Sequence, residues 1–346
     1  MHLIWGLRVG GSETMLVDIS RKQAAAHDTW IVVGNDDVDD SIARSINGSV
    51  QLVRVRRPRG NVNPWHLARL IAQIRRIKPD IIHAHEESFA SLRTAIRAPM
   101  ILTLHSTRLA LSSRLRTFKA VYAISEAVRA DVLHRFPACN PSVIYNGIDF
   151  SSVKPKTSYG DGPFRIVQVG RLVHDIKGQD LTIRSLQNIR DRIPAVDVSV
   201  DFIGEGPSLA YLRRLAAECG VEHQCRFLGL MDRRSIYERL QEYDLLIQPS
   251  RYEGFGLSIV EGIAAGLPVL VSDIEGPTEI IGNEQLGWRF RTENSLDLAS
   301  NVIGLMTASR RPGFAEEMRD RMERARSRFD IGLTAQRYLE EYNKLC

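Results

Sequence analysis

RYEGFGLSIVEGIAAGLPVLVSD, residues 251–273, decides the fold. The apolar run before it, 245–249, predicts a buried strand. Gly254 and Gly256 let the backbone turn tightly and let a ligand come close to the main chain. Residues 257–265 carry helical spacing, Gly266 and Pro268 stop that helix, and 268–272 reads as the next strand. Strand, glycine turn, helix and strand make one βαβ unit. Two carboxylates stand out in it. Glu253 precedes the turn, and Glu261 lies in an otherwise apolar helix, where an unpartnered carboxylate is costly. The helix start offers free amides and the positive end of a dipole, a place for a phosphate. Carboxylates on either side suit vicinal hydroxyl pairs. The spacing reads as two clamps, one on a hexose and one on a ribose, flanking a diphosphate. It reads equally as structural glutamates bonded to backbone amides.

The same alternation extends outward. Strands are predicted over 2–7, 30–34, 50–55, 81–84, 100–104 and 120–124, with helices over 12–26, 64–77 and 126–135. Residues 151–163, SSVKPKTSYGDGP, read as a connecting segment. A second series follows, with strands over 164–170, 198–203, 224–228, 245–249 and 268–272 and helices over 180–190, 209–219, 234–242 and 257–265. Residues 314–346 are charged and helical in pattern. The expected class is α/β, two Rossmann-like doubly wound domains facing a central cleft. Residues 1–155 form one domain and 160–330 the other, and a last helix over about 331–346 packs back on the first.

The chain has 346 residues, 44% hydrophobic and 25% charged, with a net charge of +5. That suits two globular domains and excludes a disordered chain. The basic balance is that of an Arg-rich surface, or of a face for anionic substrates or lipids. Cys139, Cys219, Cys225 and Cys346 have no CxxC spacing, so reduced thiols are expected and zinc is not. No 18-residue apolar run occurs, and the apolar start is too short for a signal-peptide core.

Four further constellations bear on chemistry. In VGRLVHDIKGQD, residues 169–180, Arg171 and Lys177 follow a strand end and suit a departing pyrophosphate, or are two solvated cations. His174 and Asp175 between them receive no role. In LRVGGSET, residues 7–14, Gly10 and Gly11 open a helix with Ser12 as its N-cap candidate. In TLHSTR, residues 103–108, His105 falls past a strand end. His83 and His85 of IIHAHE share one side of a strand, but no third ligand is in sight, so no metal is expected. GEGP, residues 204–207, lacks the third glycine of a dinucleotide fingerprint and reads as a βα loop beside a nucleotide.

In this order GGSE, TLH, AISEAVRADVL, VIYNGID, VGRLVHDIKG, GEGP, FLG and EGFGLSIVE resemble the retaining, glycogen-synthase-like glycosyltransferases of family 4, over nearly the whole chain. That resemblance implies the GT-B fold and a set of roles. Glu253 would meet the donor hexose, and the amides of Gly254, Phe255, Gly256 and Leu257 its sugar and phosphate. Glu261 would clamp the ribose. Arg171 and Lys177 would meet the diphosphate, Gly10 and Gly11 the distal phosphate, and Gly204 and Glu205 would lie beside the nucleotide. His105 would lie close to the transferred sugar. The catalytic set is then His105, Arg171, Lys177 and Glu253.

The expected activity moves a hexose from a nucleoside-diphosphate sugar, UDP before GDP, to a hydroxyl of a saccharide, by same-face attack and without metal or other cofactor. A sugar-nucleotide epimerase or a non-catalytic nucleotide-sugar binding subunit are the alternatives. RVRRPRG (54–60) and RLALSSRLRTFK (108–119) place cations, with Leu and Phe interleaved, in the first domain. They read equally as solvated basic loops or as a face for an anionic bilayer, and the second reading implies a lipid-linked acceptor in surface polysaccharide synthesis, such as lipopolysaccharide, capsule or exopolysaccharide. The expected place is cytoplasmic, at the inner face of the membrane, with no nucleic-acid partner.

Overall fold

The computed structural model describes all residues except Val9, Asn47, Asp161 and Cys346. Parts of three readings therefore lie outside the described residues: Cys346 among the thiols, Val9 before the Gly-Gly turn, and Asp161 in the connecting segment. Two compact units are present, Met1–Ile148 with Ile331–Cys346, and Asp149–Asp330.

The first unit runs β1 (His2–Ile4), α1 (Gly11–Gln23), β2 (Thr29–Asn35), α2 (Asp40–Ser45), β3 (Val50–Arg57), α3 (Pro64–Ile77), β4 (Ile82–Ala84), β5 (Met100–Leu104), β6 (Ala120–Ala123), α4 (Glu126–Arg135) and β7 (Ser142–Val143). The second runs β8 (Phe164–Val169), α5 (His174–Lys177), α6 (Gln179–Arg192), β9 (Val198–Ile203), α7 (Leu209–Glu218), β10 (Cys225–Gly229), α8 (Arg233–Arg239), β11 (Leu245–Gln248), α9 (Leu257–Ala264), β12 (Val269–Ser272), α10 (Glu275–Ile281), β13 (Trp288–Phe290), α11 (Ser295–Ala308) and α12 (Phe314–Phe329). The chain then returns to the first unit as α13 (Ile331–Asn343).

Each unit holds one parallel sheet, in the orders β3-β2-β1-β4-β5-β6-β7 and β10-β9-β8-β11-β12-β13. Both orders reverse beside the first strand of the unit, which is the doubly wound pattern. Central strands are buried on both faces, as in β5 and β11, because helices cover both sides of a parallel sheet. That is why these strands read as continuous apolar runs rather than alternating ones.

Local chemistry sets the ends. Asn63 caps α3 by accepting from the Trp65 amide, and Pro64 supplies the first helical position. Ser125 caps α4 through the Val128 amide. At α1 the expectation fails. Gly10, not Ser12, is the N-cap, and the Ser12 hydroxyl donates to Glu13 Oε2 at 2.6 Å. The first strand stops at Ile4, short of residue 7. The long C-terminal helical stretch is two helices, broken at Asp330. The Ile331 amide then donates to the Ile148 carbonyl at 2.8 Å, which ties α13 to the first unit.

The connecting segment is not loose. The Lys156 amide donates to the Ala265 carbonyl at 2.9 Å, its Nζ lies 3.1 Å from Asp244, and the Tyr159 hydroxyl donates to the Gly266 carbonyl at 2.7 Å. Those bonds fasten it to the second unit. Among the described residues no helix is long and apolar enough to cross a membrane.

Candidate functional site

In the second unit the sheet order reverses between β8 and β11, so the loops after those strands open beyond their carboxyl ends. They approach closely. Gly178, at φ 64°, separates α5 from α6, and a Cβ there would lie 2.0 Å from the Pro249 carbonyl oxygen. No other residue fits. Arg251 then fastens the two loops. It binds both oxygens of Asp180 at 2.7 and 2.9 Å, both of Glu293 at 2.5 and 2.9 Å, and the His174 carbonyl at 2.6 Å. Hydrogen bonding to Asp180, opposed by desolvation and helped by Glu293, raises the guanidinium pKa above its ordinary value. This clamp was missed in the sequence, although Arg251 opens the stretch that decides the fold, because its partners are 71 and 42 residues away.

The clamp presents Lys177 to Glu253. Lys177 Nζ donates to Glu253 Oε2 at 2.5 Å, and Gln248 Nε2 donates to the same oxygen at 3.2 Å. Gln248 is itself held by Ser258, whose hydroxyl donates to Oε1 at 3.1 Å. Both charged side chains keep some exposure, 22% and 14%, so the pair is not sealed off. Arg171, on the loop after β8, is exposed, and its guanidinium has no ion pair among the described residues. The structure therefore joins Lys177 to Glu253 but leaves Arg171 apart from both.

Glu261 is turned to a different neighbour. It accepts from the Tyr237 hydroxyl of α8 at 3.1 Å, and that hydroxyl accepts from Arg233 Nε at 2.7 Å. Gly256, at φ 105°, opens α9 with no side-chain cap, so the amides at the start of that helix have no side chain in the way. Gly254 is buried, and the Phe255 ring packs edge-on against Phe329 at 5.7 Å. The Phe255 side chain is therefore part of the core. Leu257 is partly buried at the helix start.

The 204–207 loop packs over the Arg171 loop. A Cβ on Gly204 would lie 2.2 Å from the Gly170 oxygen, and the Leu172 amide donates to the Glu205 carbonyl at 2.9 Å. His174, given no role from sequence, holds this contact. Its amide and Nδ1 meet Ser208 Oγ at 3.1 and 2.8 Å, and its ring stacks on Tyr211 at 4.2 Å.

In the first unit Gly10 and Gly11 open α1, but the Glu13 carboxylate lies against them, 2.6 Å from where a Gly10 Cβ would stand. A phosphate at that turn would have to displace it. The sheet reversal between β1 and β4 is filled by histidines. Register pairing sets His2 beside His83, and His85 follows on the same face. A third imidazole therefore does stand beside His83 and His85, contrary to the sequence reading, and the three offer ligand atoms within 4.8 Å of one another. Their ring nitrogens are engaged, however. His2 bonds His85 and Gln23, His83 bonds Tyr342 and Thr103, and His85 bonds His2 and His105. A metal would have to break that network. Burial holds all four imidazoles neutral, His2 pushed down to about 3 and His105 to about 4.

Beside His85 lies a cavity of about 500 Å³ with Glu86, Glu87, Leu104, Leu111, Ser112 and Arg114 in its wall. Burial pushes the Glu86 carboxyl up to about 8, and its Oε2 has no partner among the described residues. Glu87 is anchored by the Ser112 amide and hydroxyl at 2.9 and 2.7 Å. Leu115 and Phe118 are buried in the core, so the 108–119 segment shows its cations outward without the interleaved apolar face. Exposed apolar groups occur instead at Val62 and Trp65, with Arg69 over the Trp65 ring at 5.2 Å.

Residues 149–328 match the family model described as Glycosyl transferases group 1, and residues 9–152 match Glycosyltransferase Family 4. An uncharacterized glycosyltransferase of Methanocaldococcus jannaschii is 30% identical over 244 residues, covering 61% of this chain and 62% of that one. Glycogen synthase of Mycobacterium tuberculosis is 29% identical over 257 residues, covering 66% and 60%. The chain thus spans about three fifths of the length of these curated relatives. The crystal structure of Anabaena HepE in complex with UDP superposes with a TM-score of 0.81 at 21% identity, covering 99% of both chains, which makes the fold GT-B. With both halves of the chain matched and the sheets wound as in that fold, the protein belongs to the group 1 glycosyltransferases.

Proposed function

We propose that the protein is a retaining glycosyltransferase that moves a hexose from a nucleoside-diphosphate sugar to a hydroxyl of a saccharide. The observation that carries this reading is the Lys177–Glu253 pair, largely buried but still in part accessible beyond the β8 and β11 ends and beside the uncapped start of α9. Lys177, Arg171 and the α9 amides meet the diphosphate and its growing charge, so that no divalent metal is needed. Glu253 accepts from hexose hydroxyls, and Glu261 from the ribose. UDP is the preferred donor nucleotide, in keeping with the UDP bound by the Anabaena protein.

In the reaction the bond from the sugar C1 to the phosphate oxygen breaks, and a bond from C1 to the acceptor oxygen forms on the same face. The acceptor proton passes to the departing phosphate oxygen. The alternative is a covalent carboxylate intermediate; the pairing of Glu253 Oε2 with Lys177 and Gln248 favours a binding role for it instead. The 500 Å³ cavity in the first unit is the acceptor site. A lipid-linked acceptor of surface polysaccharide synthesis is favoured by exposed Val62 and Trp65, with Arg69 over the Trp65 ring, a surface suited to the cytoplasmic face of an anionic membrane.

Incubation with a nucleotide-sugar panel and saccharide acceptors, read by the anomeric coupling of the product, tests the reading. Retained configuration is expected. An inverted product, or a glycosyl adduct trapped on a carboxylate, contradicts the mechanism, and epimerised donor with no acceptor present contradicts the transferase.

A further inference from the structure

Trp5 follows β1 at the carboxyl end of the first sheet. Its ring stacks on the buried Phe89 at 4.3 Å, and its Nε1–H donates to Ser88 Oγ at 2.6 Å. Gly34 of β2 makes room for the indole, since a Cβ there would lie 2.3 Å from the ring. Arg57, the last residue of β3, lies over that ring with Cζ 4.4 Å from a ring centroid.

The backbone is shaped to bring it there. β3 carries one residue more than β2 at this end, because Val33 pairs with Arg54 and Asn35 with Arg57. Within the extra stretch Arg56 takes a left-handed φ of 57°, which is costly for a residue with a Cβ. Such a bulge re-aims the side chains that follow it.

The guanidinium so held lacks a counter-charge. Among the described residues it has no ion pair and no hydrogen bond, and its Nε is enclosed without a partner. Nη1 and Nη2 are unpartnered too, but they are not enclosed, so the fork opens outward. Neighbouring arginines differ: Arg8 pairs with Asp37, and Arg54 with Asp40. A partly buried cation is costly without an anion, and two parallel N–H donors match two oxygens of one oxyanion. Ser88, which holds the indole, also lines the 500 Å³ cavity, so the open fork lies next to that cavity.

We propose that Arg57, seated on Trp5, is an oxyanion subsite of the first unit, and that it takes a phosphate or carboxylate carried by the acceptor sugar. The subsite rests on the structure alone, and only the assignment of its anion to the acceptor rests on the proposed function. Charge then separates the acceptor from a neutral sugar of the same shape.

The indole N–H signals of the full chain in ¹H–¹⁵N spectra test this, with Trp5 assigned by loss of its signal in Trp5→Phe. Glucose 6-phosphate and glucuronate are expected to shift the Trp5 signal to saturation, and glucose is not. The anion that half-saturates at the lower concentration names the acceptor's group. Arg57→Gln is expected to raise the half-saturating concentration about tenfold or more, the loss of one charge-assisted pair. Arg57→Lys keeps the charge without the fork and is expected to raise it less, which decides the matter if the Gln variant does not fold. No shift with either anion, an equal shift with glucose, or unchanged binding in a folded variant overturns the proposal. Inorganic phosphate binding as tightly as glucose 6-phosphate would make this a place for free anions and overturn the assignment to the acceptor. Anion binding as expected, in a protein that turns over no nucleotide sugar, leaves the subsite standing and overturns the proposed function instead.

Discussion

The two units wind their sheets the same way and fill the reversal point differently. In the second unit the point beyond β8 and β11 holds charges: Lys177 on Glu253, and Arg251 between Asp180 and Glu293. In the first unit the point beside β1 and β4 holds neutral imidazoles, His2, His85 and His105 in a hydrogen-bonded chain with His83 beside them on Tyr342 and Thr103. The same backbone therefore makes two kinds of site. Fixed charges suit an anionic diphosphate, whose own charge offsets the cost of holding cations at a partly buried place.

The difference can be broken at its charged end first. Lys177→Ala is expected to lower kcat by 10²–10³, the usual loss for one group that meets transition-state charge, with the thermal unfolding midpoint of the protein little changed. An equal loss in stability would make Lys177 structural instead.

Acid should break the neutral end. The four buried imidazoles have folded pKa values below the ordinary one, so between pH 6.5 and about 4 the unfolded chain binds more protons, and stability falls as pH is lowered. Glu86, held up at about 8, works in the opposite sense, since the folded chain keeps a proton there that the unfolded chain releases. A net uptake of about three protons gives a slope of roughly 4 kcal/mol per pH unit near pH 5.5. Urea titrations from pH 7 to pH 5 check it. A flat profile would mean that the imidazoles are already charged in the folded protein.

Arg251→Met is expected to cost about 3 kcal/mol, because Asp180, largely buried, loses its partner. The loss should appear in the second unit's transition and spare the first. Smallest is Glu261→Ala, which removes an acceptor bonded to Tyr237. It should weaken nucleotide binding about tenfold and leave the fold intact.

Much of the fold was legible because it is local. Buried strands and glycine turns such as GFG announce themselves within ten residues, and the parallel alternation fixes the class. The reading missed α2, α10 and α11 and the short strands β7 and β13, and in some of these the local signals conflict or are too short to read. In α10 Gly276 and Pro277 read as breakers, yet Pro277 stands in the first turn, where its missing amide is not needed. β13 has three residues, too few for a period. Site residues divide likewise. Glu253 and Lys177 were singled out from motifs, but their partnership spans 76 residues and follows only from strand order. The imidazole chain was invisible for the same reason, since His2 and His83 meet through the pairing of β1 with β4. The interleaved apolar residues of 108–119 misled, because Leu115 and Phe118 face the core and not the solvent.

The most direct test of the central claim, that the second unit holds a nucleotide sugar by cations and helix amides, is calorimetric titration with UDP-, GDP- and ADP-sugars in the presence of a chelator, on the wild type and on Lys177→Ala. The account predicts that one nucleotide class binds the wild type without metal and that Lys177→Ala loses most of that affinity. Binding that needs an added divalent ion, or that Lys177→Ala leaves unchanged, would contradict it.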